Sequence, residues 1–323
     1  MLLTFVDVIK PFIKLDADLS EGITYDSRNR SLLWIDIKRG CVYRTFLSGK
    51  EEPGEVKCYK ADSSVGVIGL TSDVDKVIVG ASKSVKILNM KTGETEVVAK
   101  YPKDNVASNG WQLRSNDGSV DSNGNFWVAS MCDFSCPEVL DLGTLYRLNA
   151  KTLKMEPVIT GTGISNGLNW YDGHMYWTSS KEHIIYKFEA DSATQLPDLE
   201  TKTPFVKIAE VFKGYSDKSF VKGEPDGFCM DSRGHIFTAV WGTNRAIELD
   251  TSGKLVREFI FPAKRVSCTT IGGKNMNTLF VTTGLNDEPD ADPNDMGGCI
   301  FKVDLGSGVK GVEKNKWKGP LTA

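Results

Sequence analysis

Ser31-Leu-Leu-Trp-Ile-Asp36, Asn125-Phe-Trp-Val-Ala129 and His174-Met-Tyr-Trp-Thr178 share one shape: a short apolar run centred on tryptophan and closed on both sides by small turn residues. Runs of this length with aromatic and β-branched residues between turn signals read as β-strands. Three further segments match: Lys76-Val-Ile-Val-Gly80, His235-Ile-Phe-Thr-Ala239 and Thr278-Leu-Phe-Val-Thr282. With Trp34, Val79, Trp127, Trp177, Phe237 and Phe280 as markers, the spacings are 45, 48, 50, 60 and 43.

A second alternating strand follows each marker, as in Cys41-Val-Tyr-Arg44, Thr144-Leu-Tyr-Arg-Leu148 and Cys299-Ile-Phe-Lys-Val303. A turn and a third strand usually come next, as Lys91-Thr-Gly-Glu94 leads to Thr95-Glu-Val-Val98. Multi-strand periods of about 40–50 residues indicate propeller blades. The pattern predicts an all-β, six-bladed β-propeller with four-stranded antiparallel blades around a central channel. Six units fill residues 1–323 as a single domain. Phe5–Lys14 lies outside them and is expected to add a strand that closes the ring. Residues 190–223 lengthen one spacing and read as a polar excursion between blades.

Composition is that of an ordinary soluble chain: 323 residues, 40% hydrophobic, 25% charged, 10% aromatic, formal charge −3. That suffices for a large core without disulfides or obligatory assembly, so a monomer or weak homo-oligomer is expected. No basic field invites nucleic acid or anionic membrane. No run approaches the ~20 apolar residues of a membrane span. The N-terminus meets Asp7 before a signal-length apolar run develops. Seven cysteines at irregular spacing read as buried free thiols in a reducing cytoplasm, and Cys132 with Cys136 makes a poor zinc site.

Ahead of each marker strand runs a segment X-Gly-apolar. Blade one has Glu21-Gly22-Ile23, blade three Asp117-Gly118-Ser119, blade four Asn166-Gly167-Leu168 and blade five Asp226-Gly227-Phe228. Blade two has apolar Ile68 at X. A propeller sets equivalent positions of its blades in a ring about the channel, so Glu21, Asp117, Asn166 and Asp226 should converge although spread over about 200 positions. Asp and Asn before Gly are also common turn chemistry, but that reading leaves Glu21 unexplained. Carboxylate and amide oxygens suit a hard divalent cation, Ca²⁺ first, with Mg²⁺ and Mn²⁺ open and Zn²⁺ less favoured. His174, His183 and His235 lie at another phase of the repeat.

The sequence resembles the regucalcin/gluconolactonase (senescence-marker-protein) family. The resemblance rests on Ser20-Glu21-Gly22 with Trp34-Ile35-Asp36, Arg114-Ser115-Asn116-Asp117-Gly118, Ile164-Ser165-Asn166-Gly167-Leu168, Pro225-Asp226-Gly227, Ile271-Gly272-Gly273-Lys274-Asn275 and Gly308-Val-Lys-Gly311. It covers nearly the whole chain in order. It implies a metal-dependent lactonase acting on aldonolactones. By motif, Glu21, Asn166 and Asp226 match the metal ligands, Asp226 the acid/base residue, and Arg114 with Asn116 the substrate contacts. Phe134 falls where regucalcin-like members carry an acidic substrate contact, which leaves the lactone open.

Two rival readings remain. Gly163-Ile164-Ser165-Asn166-Gly167 fits the G-x-S-x-G nucleophile elbow, which requires a strand-to-helix turn, whereas Leu168–Trp177 continues as strand and turn. A non-catalytic calcium-binding regulatory propeller is the alternative of a different class, because propellers host many functions. The loop 286–297 places Asp290, Asp292 and Asn294 as an EF-hand would, but Asp295 stands where that loop needs Gly and Phe301 where it needs Glu. It reads as a solvated surface loop.

Overall fold

The inner strands of six small sheets, Ser20–Asp26, Val65–Thr71, Leu113–Val120, Ser165–Tyr171, Glu224–Met230 and Arg265–Gly272, surround one channel in a computed structural model that describes residues 4–322. Apart from one added parallel strand in each of two sheets, the strands run outward in sequence order as antiparallel neighbours, and the six sheets form a six-bladed β-propeller. Every marker residue lies in the second strand of its blade: Ser31–Asp36, Lys76–Ala81, Phe126–Cys132, His174–Ser179, Ile236–Trp241 and Thr278–Gly284. These strands are covered on both faces by the adjoining blades, which is why they read as apolar runs rather than alternating ones. Trp34, Trp127, Phe237 and Phe280 are wholly buried. Trp34 stacks on Tyr43 of the next strand at 5.5 Å, and Trp177 on Tyr186 at 5.9 Å, in the cross-strand pairing that stabilises sheets.

The edges differ from the sequence reading in three places. Thr4–Asp7 adds as a parallel strand to the outer edge of blade 5, against Arg257–Ile260, and does not close the ring between first and last blades. Blade 6 has three strands among the described residues, with an isolated bridge from Ile13 to Ile300 on its outer edge. Residues 190–223 are only partly an excursion. They include the outer strand of blade 4, Thr203–Lys207, followed by one helical turn, Ile208–Val211. An outer strand faces water and carries little apolar signal, so this segment has the polar spelling of a loop.

The remaining feature has no counterpart in the repeat. After the last strand of blade 6, Ile300–Asp304, the chain crosses beneath the channel and ends beside blade 2, where Lys316 and Trp317 pair in parallel with Leu70 and Thr71. Trp317 is 1% exposed and packs among Val120, Phe126, Val128 and Leu148. The acidic loop 286–297 lies on the opposite face. Asp287 and Glu288 pair with Arg265, while Asp295 accepts hydrogen bonds from Lys264 N and Gly297 N.

Candidate functional site

All six inner strands slip register against their second strands near the upper end. The slips fall between Glu21 and Thr24, Val65 and Val67, Ser115 and Gly118, Ser165 and Leu168, Pro225 and Phe228, and Val266 and Cys268. A bulge re-aims side chains off the regular pleat, and a ring of bulges turns them towards the axis. The bulged pairs are Asn116-Asp117, Asn166-Gly167 and Asp226-Gly227, and Glu21 immediately precedes the bulge of blade 1.

This register amends the motif phase. Asn116, not Asp117, occupies the place of Asn166 and Asp226. Asp117 takes the place of Gly167 and Gly227, one step further along the channel, and Ile68 lies beyond the bulge of its blade at Gly66. The second bulge position is crowded. A Cβ on Gly227 would stand 2.5 Å from Cys268 Sγ, and one on Gly167 would stand 2.3 Å from Phe228 Cδ1. Glycine there lets neighbouring inner strands close on the axis.

The upper layer is tied together across blades. Arg114 Nη1 donates to Asn116 Oδ1 at 2.8 Å, Asn116 Nδ2 donates to Asn166 Oδ1 at 2.8 Å, and Asn166 Nδ2 donates to Ser180 Oγ at 2.8 Å. Ser180 Oγ donates in turn to Pro225 O at 2.6 Å, which anchors the row beside Asp226. Asn116 Nδ2 also donates to Ser165 O at 3.0 Å. The row fixes the amide orientations, and Asn166 Oδ1 accepts from Asn116 with one of its two lone pairs. Ser180 was not singled out in the sequence, where it is one small residue past a marker strand.

Glu21 and Asp226 of this layer, with Asp117 one step deeper, bring three buried carboxylates together. Burial, reinforced by Asp117, pushes the Glu21 carboxyl up to about 8. Burial and then Glu21 and Asp117 hold Asp226 well above the usual carboxylate range, and burial lifts Asp117 to about 6. Asp226 Oδ1 is buried and has no hydrogen-bond partner, an arrangement that costs free energy unless something cationic meets it. Glu21, Asn166 and Asp226 present oxygen donors from three blades, a set that fits a hard divalent ion. The orphaned Asp226 oxygen is the observation that supports that fit.

Arg114 is 4% exposed, and burial draws its guanidinium down to about 10. Its Nε has no partner, and its guanidinium carbon lies 4.3 Å from the centroid of the Phe134 ring. Phe134 is 48% exposed at the rim, so it screens one side of the guanidinium from water. The arrangement can orient a polar substrate from one wall while an aromatic surface flanks the entrance.

Other candidates are accounted for differently. Ser165 is buried, pairs with Ser179 in the sheet, and its Oγ accepts from Trp177 Nε1 at 2.6 Å, so no nucleophile elbow exists. Asp231, His235 and Glu248 bring ligand atoms within 4.8 Å of one another. Arg233 pairs with both of those carboxylates and Arg257 with Glu248, so their charge is already met by guanidinium groups. All seven cysteines are free thiols; five are buried, Cys136 is half-buried and Cys58 is exposed. Among the described residues no helix is long and apolar enough to cross a membrane.

Comparison with known proteins agrees with this architecture. A family model described as SMP-30/Gluconolactonase/LRE-like region matches residues 19–285. The chain is 33% identical to the cell growth-regulated gene 1 protein of Candida albicans, over 94% of this chain and 95% of that one. It is 26% identical to pentonolactonase XacC of Haloferax volcanii, over 89% and 91% of the two chains. A crystal structure described as a calcium-binding protein, regucalcin, from Agrobacterium tumefaciens superposes with a TM-score of 0.81 at 21% identity, covering 98% of this chain and 99% of that one. The ring of bulged inner strands and the matched family model lead to one conclusion: the chain belongs to the SMP-30/gluconolactonase/LRE-like family.

Proposed function

We propose that this chain is a divalent-metal-dependent hydrolase that opens a small lactone of the aldonolactone or gluconolactone type. Residues 1–323 act as one unit in the cytoplasm, as a monomer or weak homo-oligomer, with a small molecule as substrate and neither nucleic acid nor membrane as partner. Glu21, Asn166 and Asp226 hold the ion, Ca²⁺ first, with Mg²⁺, Mn²⁺ or Zn²⁺ as substitutes. A divalent ion held there would supply Lewis-acid polarisation of the lactone carbonyl.

Asp226 takes a proton from the attacking water and passes it to the ring oxygen as the acyl C–O bond breaks, leaving a hydroxy acid. General acid/base help of this kind is worth about 10²–10⁴ in rate. Arg114 and Asn116 orient the substrate's hydroxyls. Asn116 is held for this by its bonds to Asn166 and Ser165. The single observation that carries the reading is the buried, unpartnered Asp226 Oδ1 beside the Arg114–Asn116–Asn166 row. The pentonolactonase relative supports the substrate class.

The test is a lactone panel assayed with Ca²⁺, Mg²⁺, Mn²⁺, Zn²⁺ and a chelator. Turnover should require an ion, vanish in Asp226→Asn with the fold intact, and survive Ser165→Ala. Absent turnover across the panel, with Ca²⁺ still bound, would favour the non-catalytic calcium-binding propeller.

A further inference from the structure

The charge of the channel does not close at the upper layer. Glu21, Asp117 and Asp226 contribute three buried carboxylates, and a divalent ion offsets two. Arg114 on the upper wall is met first by Asp133, ahead of Glu21 and Asp226, so its charge does not make up the deficit. Asp117 lies one step deeper, at the place where blades 4 and 5 have Gly167 and Gly227. It lines a cavity of about 50 Å³ below the upper layer, together with Gly22, Gly167 and Cys268, and the floor of that cavity includes Lys314.

Lys314 reaches this position because the C-terminal tail straps the channel floor. Ser232 N of blade 5 donates to Lys310 O at 2.8 Å, and Gly311 N donates to Met276 O of blade 6 at 2.6 Å. Ser27 Oγ of blade 1 donates to Glu313 Oε1 at 2.8 Å, and Asn315 Nδ2 donates to Val120 O of blade 3 at 3.0 Å. Lys316 and Trp317 then complete the crossing on blade 2. Anchored on both sides, Lys314 is half-buried and lines the lower cavity with Asp117 and Cys268, where its charge favours the ionised form of Asp117.

We infer that Lys314 is a tethered counter-cation for Asp117, a positioning residue that completes the charge of a one-ion centre from beneath. This rests on the metal reading above. With Arg114 set against Asp133, the three buried carboxylates are then met by one divalent ion and one ammonium. Tethering gives the lower layer its cation at no cost in free ion, and it keeps a second divalent ion from being drawn to Asp117. Because the ammonium also repels the ion above it, it tempers that ion's affinity.

Two measurements test the inference. The first is Ca²⁺ titration by calorimetry. Lys314→Met should bind Ca²⁺ about 3- to 10-fold more tightly than the wild type. Lys314→Arg, which restores the charge, should return to wild-type affinity, a recovery that a loss of packing would not show. The second is a double-mutant cycle of thermal stability in chelator at pH 8, with Lys314→Met, Asp117→Asn and the double variant. Lys314→Met should lower Tm when Asp117 is present and have little effect when it is Asn. Independent effects of the two substitutions in chelator would overturn the inference, as would unchanged Ca²⁺ affinity in a well-folded Lys314→Met protein. Wild-type protein that binds no divalent ion would instead sink the metal reading, and the cycle in chelator would still decide the pairing of Lys314 with Asp117.

Discussion

Asn116 Nδ2 and Asn166 Oδ1 meet at 2.8 Å from the same bulge position of adjacent inner strands, so one amide pair couples a proposed substrate contact to a proposed metal ligand. Asn116→Ala removes the donor to Asn166 and the acceptor of Arg114 together. Loss of a buried hydrogen bond of this kind costs about 1–3 kcal/mol. We expect lactone kcat/KM to fall about 10- to 100-fold and Ca²⁺ affinity to weaken with it. Steady-state kinetics and calorimetry on the same preparation check this, and a loss confined to KM with unchanged Ca²⁺ affinity would show the two sites uncoupled.

Stability of the ion-free protein should fall as pH rises from about 4.5 to 8. Unfolded carboxyls titrate near pH 4, whereas folded Glu21 holds its proton to about 8 and Asp117 to about 6. Between those limits the folded chain binds more protons than the unfolded chain, so raising pH favours unfolding. Added Ca²⁺ should flatten the trend by replacing the protons. Thermal melts in chelator at pH 5, 6.5 and 8, repeated with Ca²⁺, read the effect; Tm rising across that window in chelator would contradict it.

Phe134 covers the Arg114 guanidinium on one side. Cation–π contacts contribute about 0.5–2 kcal/mol according to their exposure. Phe134→Ala should therefore raise KM about 3- to 10-fold with kcat little changed, while Phe134→Tyr stays near wild type. A fall in kcat at constant KM would place the ring nearer the reacting atoms than its position at the rim suggests.

Trp317 is the anchor of the floor strap. Its Nε1 donates to Pro320 O at 3.0 Å, and its ring is buried against blade 3. Trp317→Ala should cost about 3–5 kcal/mol, by analogy with other large core truncations. Urea unfolding measures it, and a cost below about 1 kcal/mol would mean that the strap is dispensable to the ring.

The convergence of the candidate site residues was legible before folding because a propeller converts sequence phase into position. Glu21, Arg114, Asn116, Asn166 and Asp226 all come to the upper channel as their motifs imply. The assignment of Asp117 to the same layer was displaced by one residue. The marker strands carry the period, but the extra residue of a bulge shifts the inner strand against them, and X-Gly spelling does not reveal where the slip falls.

The amino-acid sequence by itself determined the sixfold β repeat, the buried marker aromatics and the oxygen-rich character of the inner strands. These depend on residue pattern within about 50 positions, which is local information. Only the tertiary structure decided that Asp117 looks down the channel, that Ser180 anchors the amide row, and that Lys314 rises from a C-terminal strap. Those relations join residues such as Asp117 and Lys314 that are far apart in the chain, and backbone register and the path of an irregular tail set them rather than any repeating pattern.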